Sequence, residues 1–355
     1  MNVIITILVT LVMFGFLIAV HELGHYLVAR LFRVGIIEYS IGMGPAIHTW
    51  EGKYNDVSIR AFPIGGYVRM VGEPGEERPE NLAKVIGKTS INDVPVWKRM
   101  LIVVAGPLTN LLVAFLLMFL LVATSEQLAS TRVASFREGA VSPQYGLQVD
   151  DVILEVNGRS IRCCPDLTYA VLMDGIEPVD ILVERNGEEV LLSGVTFATE
   201  DSGGMTVGKF DFYVYQKPKT VGNLLYESFW QGWNSVYVTL DSFRMLFTGR
   251  FGLDAVGGPV AVGEQVGNVI QSSGSFADTV RNLGTMTVLI SVSLAVMNLL
   301  PIPALDGGRL LIYLIEAIRR KPLPKKVETA LTAGTMIALL LLMALIFLKD
   351  LIHLF

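Results

Sequence analysis

The sequence predicts an α-helical membrane protein with four transmembrane helices, a β-hairpin region beside the membrane and one α/β domain outside it. Hydrophobic residues make up 52% of the 355 and charged residues 17%, against roughly 45–50% and about 25% in soluble domains. Residues 1–20, 101–123, 282–305 and 329–348 contain no Asp, Glu, Lys or Arg, and a helix needs about 20 apolar residues to cross a bilayer. The stretch between the second and third runs is mixed sequence with turn signals.

In chain order, the expected layout begins with a first span at 1–32 and a hairpin and loop region at 33–96. A second span at 97–124, an α/β domain at 125–217 and an amphipathic interfacial region at 218–278 follow. The third span occupies 279–310, a basic segment 311–328 and the fourth span 329–355. The first run lacks the basic start and cleavage pattern of a signal peptide, since Arg30 is its first cation; it is expected to be retained. Cys163 and Cys164 are adjacent and so are poor partners for a disulfide within the chain. A formal charge of −5 leaves no electrostatic footprint for nucleic acid.

Orientation follows from Lys and Arg near the span ends. Arg30, Arg33, Lys84, Lys88, Lys98 and Arg99 lie between spans one and two, and RRKPLPKK at 319–326 lies between spans three and four. Those segments should face the cytoplasm. The segment between spans two and three, with Asp150, Asp151, Glu184, Glu188 and Glu189, should face outside, as should both termini.

HELGH at residues 21–25 continues directly from the first apolar run. Positions four apart share a helix face, so His21 and His25 can point at one ion while Glu22 reaches a water beside it. This is the pattern of two zinc ligands plus a general base. A solvated helix face is the bland alternative, but ionisable groups in a membrane segment are costly without a partner or a function.

Zinc needs a third protein ligand and one open position. The chain has four histidines, and the remaining two, His48 and His353, lie in the hairpin region and at the far terminus. Asp306, in MNLLPIPALDGGR at 297–309, is the better candidate. Spans one and three run in the same direction, so His21, His25 and Asp306 meet towards the cytoplasmic end. Pro301 and Pro303 break the helix before it, and broken backbone at membrane depth is tolerated where it lines a cavity. Asn298 either bonds a neighbouring helix or holds substrate backbone or a developing oxyanion. The expected chemistry is metal-assisted peptide hydrolysis, with Glu22 moving the proton. A membrane zinc carrier would need the same ligands but no Glu22, and a non-catalytic scaffold for single-span proteins would need neither.

HELGH on the first span together with NLLPIPALDGG near the third resembles the site-2 protease family of intramembrane zinc metalloproteases, in its bacterial RseP-like branch. The resemblance implies Zn2+ held by His21, His25 and Asp306, Glu22 as catalytic base, and Asn298 as a substrate-binding residue. It implies a bacterial cytoplasmic (inner) membrane enzyme acting in regulated intramembrane proteolysis. Its partners would be the lipid bilayer and single-span substrates already trimmed by another protease, such as anti-sigma factors or remnant signal peptides. IGMGP at 41–45 and VSIRAFPIGGYVRM at 57–70 look extended. In the family this region is a membrane-associated β-hairpin that offers an edge strand to substrate, which would place Gly42, Gly44, Gly65 and Gly66 at the contact.

In the outside domain, GLQVDDVILEVNGRSI at 146–161 predicts a strand ending at an Asn157-Gly158 turn. CPDLTYAVLMDG at 164–175 suits a short helix, and a second hairpin turns about Asn186-Gly187. This order resembles a single PDZ domain, with Asp150 where that signature has Gly. Such a domain binds extended peptide beside a strand or filters substrates by size. Residues 222–248 carry Tyr226, Phe229, Trp230, Trp233, Tyr237, Phe243 and Phe247. An amphipathic helix on the outer surface fits them better than a fifth span.

Overall fold

The computed structural model describes residues 3–72, 88–202, 205–250, 252 and 256–354; Lys84 lies outside them. Among the described residues, four helices are long and apolar enough to cross a membrane: α1 (Val3–Leu31), α2 (Val96–Thr124), α6 (Phe276–Leu299) and residues Lys326–Ile352 of α8 (Lys325–Leu354). Their outward faces are apolar yet uncovered by protein, as at Leu8 (58% exposed) and Leu341 (67%). Such surfaces need lipid rather than water as solvent.

The chain divides into two compact units, Met1–Ala114 with Thr239–Phe355, and Phe115–Val238. In the first, β1 (Ile36–Glu51) and β2 (Asp56–Met70) form a long hairpin. Both strands bend, so Glu38–Ile41 face Gly66–Arg69 on one side and Asp56–Ile59 on the other, while His48–Glu51 return to Asp56–Ile59. Ala29 of α1, Ile102 of α2 and Val34, Ile36, Val68, Met70, Ile91 and Val94 make the core beneath it.

The hairpin closes over a buried carboxylate. Glu38, 5% exposed, accepts from Ser58 Oγ, from Arg60 at 2.6 Å, Tyr67 at 2.9 Å and Arg69 at 2.8 Å. Burial alone would raise its pKa, but the Ser58, Arg60 and Tyr67 hydrogen bonds outweigh it and hold the carboxyl below the usual range. A depressed folded value means the network stabilises the hairpin at neutral pH and is lost as pH falls through that value. Glu38→Gln leaves the largely buried Arg60 guanidinium without its charge partner, a loss that costs up to roughly 3–5 kcal/mol for a buried pair. Hydrogen exchange of the hairpin amides at neutral pH should accelerate in Glu38→Gln and spare the amides of the helix at Cys164–Asp174.

The second unit is built on a sheet of order β10–β3–β4–β6–β7. Its strands are β3 (Leu128–Phe136), β4 (Val152–Val156), β6 (Val179–Arg185), β7 (Glu188–Val195) and β10 (Phe212–Lys217), with β5 (Arg159–Ser160) paired to β4. A small hairpin, β8 (Thr199–Ser202) with β9 (Met205–Gly208), stands apart from this sheet. Helix α3 (Cys164–Asp174) covers the sheet, burying Leu167, Ala170 and Val171 against Val133, Ile153 and Ile181. Both Asn-Gly pairs turn as the sequence indicates, with φ of 50° and 73° at Asn157-Gly158 and 54° and 86° at Asn186-Gly187. Asp150 adopts φ 75°, the left-handed conformation that glycine adopts most easily.

Helix α4 (Val221–Phe247) is a single helix and is not among the four candidate spans. Within the second unit its aromatics are held by cations: Arg159 lies 3.7 Å from the Tyr237 ring and Arg162 4.1 Å from Trp230. A short helix, α5 (Pro259–Ser272), follows in the first unit.

The segment assigned to 279–310 breaks at its two prolines, as the sequence indicates. Helix α6 ends at Leu299, and a separate amphipathic helix, α7 (Asp306–Arg319), begins after the two prolines. Of the segment assigned to 311–328, residues 311–319 are therefore the second part of α7 and residues 325–328 the start of α8. Ion pairing explains why α7 is ordered: Arg99 of α2 binds Glu316 through two hydrogen bonds, 3.1 and 2.6 Å, and both side chains are nearly buried. Gly307 and Gly308 make the turn possible, because a Cβ at either would collide with the backbone of Leu299–Pro303.

Candidate metal centre

Three polar side chains converge where α1 meets the start of α7. His21 Nε2 lies 3.1 Å from Asp306 Oδ2, His25 Nε2 lies 3.3 Å from the same oxygen, and the two Nε2 atoms are 3.2 Å apart. The i, i+4 spacing on α1 puts both rings on one face, edge to face at 4.8 Å between centroids. Asp306 joins them because the proline break ends α6 and α7 restarts with Asp306 in its first turn. A helix N-terminus also favours a carboxylate.

Asp306 Oδ2 is buried and faces the two imidazole nitrogens at 3.1 and 3.3 Å. With His25 Nε2 presenting a lone pair, two acceptors face each other across a dry site, which is costly in a bare protein and is what a cation would satisfy. The dimensions agree. Ligands held tetrahedrally at about 2.0–2.1 Å from zinc are roughly 3.3 Å apart, close to the observed edges of 3.1, 3.2 and 3.3 Å. Two imidazoles and a carboxylate are also a donor set that catalytic zinc uses with a fourth position open. The residues fit the ion.

The surrounding shell is supplied by α2. His25 Nδ1 lies 2.8 Å from the Ile102 carbonyl, which can only accept. The nitrogen there carries the proton, and Nε2 is left with its lone pair facing Asp306. Gly106, one turn further on, gives both rings room; a Cβ there would stand 2.8 Å from His21 Cε1 and closer still to His25. Asn110, the next turn, faces His21 Nδ1 at 3.5 Å.

Glu22 adjoins the hairpin. A Cβ on Gly66 would lie 3.1 Å from Glu22 Cγ and 3.3 Å from Ile18 Cγ2, so β2 passes directly over the carboxylate's stem. Tyr39 of β1 donates to the Ala19 carbonyl at 2.7 Å, and its phenol is pushed up to about 12, by burial first and by the charge of Glu22 second.

Of the glycines expected at a substrate contact, Gly66 is thus beside Glu22. Gly65 (φ 86°) adjoins Met43 of β1. Gly42 and Gly44 take φ of 90° and 86° at the bend of β1, with the Gly44 carbonyl held by Arg60 at 2.6 Å. Asn298 sits half-buried in the last turn of α6, eight positions before Asp306. His48 is exposed and packs on Trp50, away from the cluster; the side chain of His353 lies outside the described residues.

Reading the residues alone missed Gly106, Asn110 and the Ile102 carbonyl. Asn110 was visible in principle, as the one amide side chain in the apolar run 101–123. The other two were not: a glycine and a main-chain oxygen carry no mark until the partner helix is placed.

The sequence profile of Peptidase family M50 matches residues 9–343. A protein of Fusobacterium nucleatum named as a zinc metalloprotease is 33% identical over 355 residues, covering 99% of each chain. One of Clostridium perfringens with the same designation is 34% identical over 353 residues, covering 98% of each. The Regulator of sigma-W protease RasP of Bacillus subtilis is 28% identical over 433 aligned positions, covering 99% of each. The chain belongs to peptidase family M50, the site-2 protease family, and is a zinc metalloprotease with four helices apolar enough to span a membrane.

Proposed function

We propose that this intramembrane protease cuts the transmembrane segments of single-span proteins at a site near the cytoplasmic face of a bacterial inner membrane. His21, His25 and Asp306 hold the zinc, and Glu22 is the catalytic base. The observation that carries the reading is the triangle of two imidazole nitrogens and a buried carboxylate oxygen, with Glu22 beside the first ligand and close to β2 at Gly66. The chemistry that zinc supplies when bound is Lewis acidity towards water and towards a carbonyl oxygen. Glu22 takes a proton from the attacking water and returns it to the leaving amide nitrogen.

A helical substrate must unwind before its peptide bonds are reachable, and an edge strand can hydrogen-bond the opened backbone. The outer edge of Gly66–Arg69, whose other edge pairs with Glu38–Ile41, passes over Glu22 and suits that task. Asn298 is assigned to the substrate backbone on the far side. The second unit is read as an extracytoplasmic PDZ-like domain that binds a chain end or excludes bulky substrates, so that a first protease must trim the substrate. Anti-sigma factors and remnant signal peptides are the substrate classes of this kind.

Detergent-purified protein should cut a pre-trimmed single-span substrate within its apolar segment, as mapped by mass spectrometry, and a zinc chelator should stop it. Wild-type cleavage that survives complete zinc removal, or that falls only in the soluble flanks, contradicts the reading.

A further inference from the structure

The two histidines are served differently by α2, and the difference points to a positioning residue. His25 Nδ1 faces a main-chain carbonyl, which fixes its tautomer. His21 Nδ1 faces the side-chain amide of Asn110, with Nδ2 at 3.5 Å. Asn110 is 1% exposed, and its Oδ1 has no hydrogen-bond partner among the described residues. Ile102, Gly106 and Asn110 are spaced by four and so lie on one helix face, matching the four-residue step between His25 and His21.

A neutral imidazole has one N–H. If His21 Nε2 keeps its lone pair for a metal, Nδ1 carries the proton, and it cannot then face the NH2 of an amide, because two donors would meet. With the amide as described, Nδ1 accepts from Asn110, and the proton resides on Nε2, pointing at Asp306 Oδ2 3.1 Å away. A half-turn of the amide exchanges oxygen and nitrogen with almost no change of shape. It brings Oδ1 to the His21 Nδ1–H, as Ile102 does for His25.

Resting on the proposed metal role of His21, we infer that Asn110 is the residue that selects the His21 tautomer, its side-chain oxygen accepting from Nδ1–H whenever zinc is held. The amide also suits the metal-free pair, in which the imidazole proton sits on Nε2 between His21 and Asp306. A carbonyl could serve only one of these states; a carboxamide serves both. The Asn110 main-chain oxygen has a separate duty, accepting from Ser291 Oγ at 2.8 Å, which substitution of the side chain does not remove.

The test is zinc affinity of the detergent-purified protein, read by competition with a chromophoric chelator, for wild type, Asn110→Leu, Asn110→Asp and His21→Ala. Loss of an orienting partner typically costs 10–100-fold in metal affinity, and Asn110→Leu should weaken zinc by about that factor. Asn110→Asp, which keeps an acceptor towards Nδ1, should remain within a few-fold of wild type, showing that fold and site survive substitution. In 15N-histidine-labelled, zinc-loaded wild type, the His21 ring should show Nδ1 protonated. Wild-type affinity in Asn110→Leu, or equal losses in Asn110→Leu and Asn110→Asp, overturns the inference. Zinc binding undiminished in His21→Ala instead overturns the metal reading beneath it.

Discussion

Glu22→Gln is expected to abolish proteolysis while leaving zinc bound. Glutamine has almost the same shape as glutamate but cannot take a proton. General-base catalysis contributes roughly 10²–10⁴-fold, so single-turnover cleavage should fall by at least about 100-fold, and metal content should match wild type. Glu22 is not one of the three groups that converge, since the triangle is drawn by His21, His25 and Asp306. That separation is why base and ligands can be tested apart. A carrier of zinc would be indifferent to this change, and a scaffold would keep all its binding. Retained cleavage in Glu22→Gln, or loss of zinc with it, would require a different division of labour.

Gly106→Ala is the second large effect, and it acts on the metal rather than on the proton. The added Cβ would be 2.8 Å from His21 Cε1 and nearer to His25 Nε2, the nitrogen that faces Asp306 at 3.3 Å. Either α2 retreats or both rings turn away. Overpacking of this kind costs about 1–3 kcal/mol, and about 1.4 kcal/mol is a factor of ten in an equilibrium constant. Zinc affinity should therefore drop roughly 10–100-fold, and cleavage at limiting zinc should drop with it and recover at high zinc. Unchanged affinity in Gly106→Ala would mean that α2 does not press on the histidines.

Much of this molecule is written locally. The four spans are runs without charge, the two Asn-Gly turns of the second unit are dipeptide signals, and His21, Glu22 and His25 are a motif on one helix. The link from His21 to Asp306 crosses 285 positions, yet it was legible because the proline break and the expected direction of the candidate spans constrain where a carboxylate can emerge. What was not legible depends on which helix lies beside which. The run 101–123 reads as an apolar span with one amide in it until Ile102, Gly106 and Asn110 are seen to face the histidines. Likewise 311–328 reads as a basic loop until Arg99, from α2, is found holding Glu316. Glu38 is a further case: among Arg60, Tyr67 and Arg69 it is a buried hub, but along the chain it is a lone acid in the mostly apolar stretch 34–47.

The direct test of the account is X-ray absorption at the zinc edge of the loaded, detergent-purified protein, compared with His21→Ala and Asp306→Ala. The expected spectrum has two imidazoles and light-atom ligands at roughly 2.0–2.1 Å, with no sulfur at about 2.3 Å, and each substitution should change it or empty the site. Sulfur scattering from Cys163 or Cys164, or a spectrum unaltered by loss of His21 or Asp306, would place the metal elsewhere and contradict the account.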